Sequence, residues 1–128
     1  MAARPILIGS EIYRRSSYGR KHPLAIPRVS TAIDLARAMG WLPGAQYIDS
    51  PMATPQQLAR FHDADYIQAV RDAERDQRLD AERRARHHLG KFDNPIFPEV
   101  FSRPATAAGA SILAAELLVE EGICLLYT

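Results

Sequence analysis

Pro5-Ile6-Leu7-Ile8-Gly9 is a continuous apolar run closed by a glycine, and its reading decides the fold class. A half-exposed strand alternates apolar and polar side chains, whereas a strand covered on both faces reads as an unbroken apolar run. Parallel sheets are the ones covered on both faces, so the run predicts the first strand of an α/β fold. Gln46-Tyr47-Ile48-Asp49 predicts a second short strand, and Ile123 to Tyr127 the opening of a third.

Between these strands the pattern turns helical. Tyr13 to Pro27 carries Gly19, Pro23 and Pro27, which interrupt regular hydrogen bonding and predict a loop. Thr31 with Asp34 in the capping-box position predicts a helix start, with Ile33, Leu35, Ala36 and Met39 on its apolar side and Gly40 at its end. Thr54-Pro55-Gln56-Gln57 is the clearest local signal. The threonine oxygen can accept the N–H of Gln57, and Pro55 sits where no N–H is needed, so a helix runs from here to about His62. Asp63 restarts it, and Tyr66, Ile67, Val70 and Ala73 share one face. Phe92-Asp93-Asn94-Pro95-Ile96-Phe97-Pro98 is expected to be irregular because of its two prolines and Asx pair. Pro104 opens a last long helix, read as buried and ending near Gly122.

Composition sets the outer bounds. With 128 residues, 47% hydrophobic and 24% charged, the sequence is that of one soluble domain or part of one. No run approaches the ~20 apolar residues of a membrane helix, and Met1-Ala2-Ala3-Arg4 does not lead into a signal-peptide core, so the expected location is the cytoplasm with no membrane partner. Sixteen Lys and Arg against 15 Asp and Glu give net charge +1, which argues against a nucleic-acid partner. The charge is concentrated between Arg71 and Lys91, read as a solvated helix or an excursion from the domain.

The candidate chemical residues each have a plainer alternative. His87-His88 invites a metal, but adjacent helical side chains point about 100° apart, and two exposed histidines in an Arg-rich segment is the simpler account. His62, beside Asp63 and Asp65, is either a base oriented by a carboxylate or, more simply, a helix-end histidine near terminal carbonyls. His22 lies in a loop with no partner identifiable in sequence. Cys124 within Ile123-Cys124-Leu125-Leu126 reads as a small buried hydrophobe. Arg28 can hold an anion beside the loop or be simply solvated. Asp93 offers two acceptor oxygens to paired N–H donors such as those of a bound amide; the plain alternative, favoured on the residues alone, is a turn-capping Asx. No phosphate loop, nucleophile elbow or dinucleotide fingerprint is present.

Four stretches taken in order carry a resemblance. Tyr18-Gly19-Arg20-Lys21-His22-Pro23-Leu24, Pro27-Arg28-Val29-Ser30, Ala53-Thr54-Pro55-Gln56-Gln57-Leu58-Ala59-Arg60-Phe61-His62-Asp63-Ala64-Asp65-Tyr66-Ile67 and Phe92-Asp93-Asn94-Pro95-Ile96-Phe97 together resemble the N-terminal part of the histone deacetylase family. The similarity is greatest to its bacterial acetoin-utilisation and acetylpolyamine amidohydrolase members and runs from about Pro5 to Gly122. It implies an arginase/deacetylase-like three-layer α/β/α fold, of which these 128 residues are a single, incomplete, helix-rich N-terminal portion with a short parallel sheet. It further implies zinc-dependent hydrolysis of N-acetyl amides, the metal polarising the acetyl carbonyl and activating water while histidines handle the proton.

By the same resemblance, Asp93 would hold the substrate's backbone amides at the pocket rim, which lifts its functional reading above the turn cap. Arg28 would line an internal channel beneath the active site, and Tyr18 and His22 would belong to the loop before it. The family's tandem catalytic histidines, zinc ligands and catalytic tyrosine would all follow the helix ending at Gly122. The resemblance therefore assigns no catalytic residue and no metal ligand here, and zinc is expected only in a complete family member. His87-His88 is not the catalytic pair, because it precedes the Asp93 loop and lacks a glycine-rich lead-in.

A sheet built from the family's first strands leaves edges and helix faces to be covered, so a homo-oligomer or a complementing C-terminal half is the expected partner. An acetylated amine or lysine is the expected substrate once the domain is completed. Three readings stand: an N-terminal segment inactive by itself, which is preferred; a stand-alone non-catalytic relative acting through self-association or partner binding; and an independent metalloenzyme using His22, His62 or His87-His88. No recognised ligand spacing supports the third.

Overall fold

Three short strands form a parallel sheet in the order β2-β1-β3, with β1 at Ile6–Gly9, β2 at Tyr47–Asp49 and β3 at Leu126–Tyr127. The structure, a computed structural model, describes residues 5–15, 18–120 and 126–127. Ile8 pairs opposite Ile48 and Ile6 opposite Leu126, so the apolar run forms a strand as expected, and the pairing makes it the central one. Ile8 and Gly9 are buried, while Ile6 and Leu7 are only half-buried. The expected third strand is present at its C-terminal end; Ile123, Cys124, Leu125 and the helix end near Gly122 lie outside the described residues.

Helices supply the rest. α1 (Ile12–Arg15) is a single turn where the sequence predicts loop from Tyr13 onward; beyond it, Gly19 takes φ +100° and two reverse turns hold the chain, His22 N–H to Gly19 O at 3.1 Å and Ala25 N–H to His22 O at 3.0 Å. α2 (Arg28–Ala38) starts three residues before the predicted cap. Thr31 is inside the helix, where its hydroxyl donates back to Pro27 O at 2.7 Å, and Asp34 is bound by Arg14 at 2.7 and 2.8 Å instead of capping. Pro27, with its fixed φ, is the residue that ends the loop. α3 (Pro55–Leu58) carries the full capping box, with Gln57 N–H donating to Thr54 Oγ1 at 3.2 Å and Thr54 N–H to Gln57 Oε1 at 2.8 Å. A turn replaces its predicted last residues before Asp63 opens α4 (Ala64–Asp76).

The charged stretch is helical on both sides of a break. Gln77, at φ 52°, closes α4, and Asp80 caps α5 (Ala81–His87) by accepting from Arg83 N–H at 2.9 Å. What holds these helices down is apolar: Leu79 and Leu89, at either side of α5, are buried with Ala69, Val70, Ala73, Phe97 and Val100. Asp72 joins the two helices electrostatically, 2.8 Å from Arg83 and 3.0 Å from Arg75. Arg83 in particular holds its carboxyl below the usual carboxylate range.

α6 (Ser102–Glu120) ties the two halves together. Its Ala110 and Ala114 bury against Ile8 of the sheet, and its N-terminus is capped from α4. There Glu74 Oε1 accepts from Phe101 N–H at 3.1 Å, Ser102 N–H at 2.9 Å and the Ser102 hydroxyl. A carboxylate at that position satisfies orphan donors and complements the helix dipole. Burial is confined to the stripe Ala105, Thr106, Gly109, Ala110 and Ala114, while Leu118 and Val119 are exposed, so the helix expected to be buried is covered on one side. Among the described residues no helix is long and apolar enough to cross a membrane.

Candidate functional site

The Asp93 segment is shaped by the end of α5. His88, at φ 54°, stops that helix in a left-handed conformation, and Gly90, at φ 75°, redirects the chain. Lys91 to Asn94 then form a tight turn, with Asn94 N–H donating to Lys91 O at 3.1 Å and Gly90 N–H to Asn94 O at 2.8 Å. Capping falls to the neighbour: Asn94 Nδ2 donates to His88 O at 3.1 Å. Asp93 itself is exposed at the tip, and among the described residues its carboxylate receives no hydrogen bond or ion pair. The division of labour within the Asx pair is therefore settled by geometry. Asn94 holds the turn and Asp93 is left with both oxygens open.

Facing the turn is the loop that carries Tyr18 and His22. Their rings stack at 4.7 Å with 27° between planes, Phe97 meets Tyr18 at 4.7 Å, and exposed Phe92 at the turn approaches His22 at 6.5 Å. His22, without a partner in the sequence reading, has one in the structure: its Nδ1 accepts from Leu24 N–H at 3.1 Å. In the neutral ring that leaves the proton on Nε2. Tyr18, His22 and the Asp93 turn are thus one aromatic assembly.

Arg28 stands apart from it. It is exposed at the first position of α2 and lines a cleft of about 140 Å³ with Tyr13, Ile26, Val29 and Arg103. Arg103 connects the two places, its guanidinium lying 4.6 Å from the centre of the Tyr18 ring and 5.5 Å from that of Tyr13. Burial pushes the Tyr13 phenol above its ordinary value, with the Arg103 charge opposing. Arg103 and Phe92 are the residues sequence reasoning passed over; the available signal was a lone cation in the first turn of an otherwise uncharged helix start. A larger cleft of about 370 Å³ opens beside the assembly, lined by Tyr18, Tyr66, Val70, Phe97, Phe101 and Pro104.

The remaining histidines fall elsewhere. His62 ends the α3 turn with its ring against Phe61 at 5.0 Å and Tyr66 at 5.5 Å, so it packs on aromatic rings. His88 is exposed as expected, but His87 is not: its side chain is only 10% exposed, because the C-terminal end of α5 lies against Tyr66 of α4. Among the described residues no three His, Cys, Asp or Glu side chains gather as metal ligands. The described residues do not fit a zinc site.

The family model for the histone deacetylase domain matches residues 22–126. The chain belongs to the histone deacetylase family. Its likeness to the N-terminal part of such proteins, read from the four motifs, is borne out. It is 27% identical over 111 residues to the acetoin utilization protein AcuC of Bacillus subtilis (strain 168), covering 87% of this chain and 28% of that protein. Two crystal structures, an HDAC homologue complexed with SAHA and an HDAC homologue from Aquifex aeolicus, each superpose with a TM-score of 0.90 at 32% identity. Each match covers 96% of this chain and 32% of the solved one. The chain thus spans about a third or less of the length of these histone deacetylase relatives, and within that span it has their fold, helix-rich with a short parallel sheet.

Proposed function

We propose that this chain is the rim- and channel-bearing segment of a zinc-dependent N-acetyl amide hydrolase, acting in the cytoplasm and inactive by itself. Asp93 would receive the amide N–H groups of an acetylated lysine or amine substrate, with Tyr18 and His22 forming the adjoining wall and Arg28 lining a channel behind it. The observation that carries this reading is the free carboxylate of Asp93, held at the tip of a turn whose capping is done by Asn94. A carboxylate that only capped its own turn would have its oxygens occupied. Charge-assisted hydrogen bonds to amides are the interaction such a group can supply.

The metal and proton-transfer groups would come from the part of a family domain that this chain does not match. Exposed Trp41, Phe61 and Val119, at 68%, 90% and 86%, favour cover by that part or by a second copy of the chain. The test is a chimaera in which these 128 residues replace the matching segment of a complete, active family member. Asp93→Asn should then lower kcat/KM roughly tenfold to a hundredfold, the loss of a charge-assisted hydrogen bond. Unchanged kcat/KM would refute the rim role.

A further inference from the structure

His87 is the residue whose environment neither its sequence nor the family likeness explains. Among the described residues its Nε2 is the one buried side-chain polar atom that makes no hydrogen bond. A phenyl ring would fill such a place without leaving a polar nitrogen unsatisfied, so packing alone does not account for an imidazole. The atom it faces is a carboxylate oxygen: Asp65 Oδ2, in the first turn of α4, lies 3.3 Å from Nε2, within ion-pair reach though without hydrogen-bond geometry. The ring also packs on Tyr66 at 5.5 Å with 55° between planes.

The consequence runs down the chain. His87 is the last residue of α5, and everything that shapes the Asp93 turn hangs from that helix end. His88 O receives the Asn94 side chain, Leu89 N–H donates to Arg84 O at 3.1 Å, and Arg84 Nη2 donates to Gly90 O at 3.2 Å. We propose that His87 is the positioning residue of this turn: its imidazole, wedged between the Tyr66 ring and the Asp65 carboxylate, pins the end of α5 to α4, and the pin tightens when the ring is protonated. A neutral imidazole offers Asp65 one N–H and no charge, whereas the imidazolium offers a charge and donors at both nitrogens.

Other charges modulate this and do not remove it. Arg86 Nη2 of α5 approaches the same Asp65 oxygen at 3.4 Å and already neutralises part of it, so the gain on protonation is partial. Asp65 is 53% exposed, which screens the pair further. His62, beyond the Tyr66 ring, adds a like charge when it too is protonated. Positioning of the turn stands on these contacts alone; its effect on substrate binding rests on the function proposed above.

The test is amide hydrogen exchange on the 128-residue chain, followed at Gly90 and Asn94, whose N–H groups close the turn, and at Ala110 in α6 as an internal reference. Protection factors, corrected for intrinsic exchange, are compared at about pH 5.5 and about pH 8. Protection at Gly90 and Asn94 should fall about threefold or more between the two conditions in the parent chain and stay flat in His87→Phe and in Asp65→Asn, with Ala110 unaffected. His87→Phe keeps the ring packing, and Asp65→Asn, at a half-exposed position, serves should the first variant fail to fold. Equal protection at both pH values in the parent, or a fall that persists in either folded variant, would overturn the proposal. Because the readout needs no turnover, it separates this inference from the deacetylase reading.

Discussion

Gly109 is where α6 comes closest to the rest of the chain, and replacing it by alanine should damage the fold even though alanine is the better helix former. A Cβ built there would stand 1.9 Å from Pro51 O, 2.8 Å from Pro51 C and 2.9 Å from Ala53 N. These are backbone atoms, so no rotamer change relieves the contact. The carbonyl would have to withdraw by about 1 Å before reaching even the shortest Cβ contacts found in proteins. That withdrawal is opposed by two hydrogen bonds that tie the same segment to α6, Ala53 N–H to Ala105 O at 2.9 Å and the Ser50 hydroxyl to Thr106 O at 2.7 Å. Overpacking costs about 1–3 kcal/mol and each strained hydrogen bond about 1 kcal/mol, against about 1 kcal/mol of helix preference gained. The net expectation is a loss of about 2–4 kcal/mol. In urea denaturation followed by circular dichroism this lowers the midpoint by about 1–2 M or abolishes the cooperative transition. Gly44→Ala, at a site with nothing within 4 Å and no left-handed φ, is the control and should change stability by under about 0.5 kcal/mol. A Gly109→Ala midpoint equal to or above that of the control would refute the close approach of α6 to residues 50–53.

Further outcomes follow from the same contacts. Glu74→Ala strands the N–H groups of Phe101 and Ser102 and should cost about 1–3 kcal/mol, with faster amide exchange confined first to the start of α6; Glu74→Gln should recover part of the loss. His88→Gly removes the left-handed penalty at φ 54° while leaving the carbonyl that receives Asn94, so the thermal midpoint should rise, by an amount on the order of 1 kcal/mol in stability. Acid should unfold the chain through its arginine-paired carboxylates. Asp34 with Arg14, Asp72 and Asp80 with Arg83, and Asp76 with Arg75 all have carboxyls held below their ordinary value. Their folded-state pKa values lie below the unfolded ones, so the stabilisation is complete at neutral pH and is lost as pH falls from about 4 downward; a pH titration by circular dichroism that stayed flat to about pH 2 would contradict this.

The frame of the fold was legible because its signals are local. An apolar run without alternation located the strand at Ile6–Gly9, and the Thr54 to Gln57 box gave a cap that the structure reproduces atom for atom. What was illegible depends on contacts distant in sequence. Thr31 and Asp34 had the composition of a capping box, but Arg14, 20 residues earlier, takes the carboxylate and Pro27 starts the helix. Arg71 to Lys91 looked solvated because charge dominates its composition, yet Leu79 and Leu89 are enough to bury its inner side. At the candidate site the order of motifs pointed to Tyr18, His22, Arg28 and Asp93, and the structure brings the first two beside the Asp93 turn while leaving Arg28 at a neighbouring cleft. Which member of Asp93-Asn94 caps the turn, the bridging place of Arg103 and the burial of His87 all required three dimensions.

On the function proposed here, the chain carries the rim of a deacetylase and is inactive by itself. This is tested most directly by measuring bound zinc and turnover of a fluorogenic acetyl-lysine substrate in one purified sample supplied with zinc. Substoichiometric zinc and no turnover above the uncatalysed rate are expected. One zinc per chain together with chelator-sensitive turnover would contradict that function, and would place a catalytic centre within the chain or across an assembly of its copies.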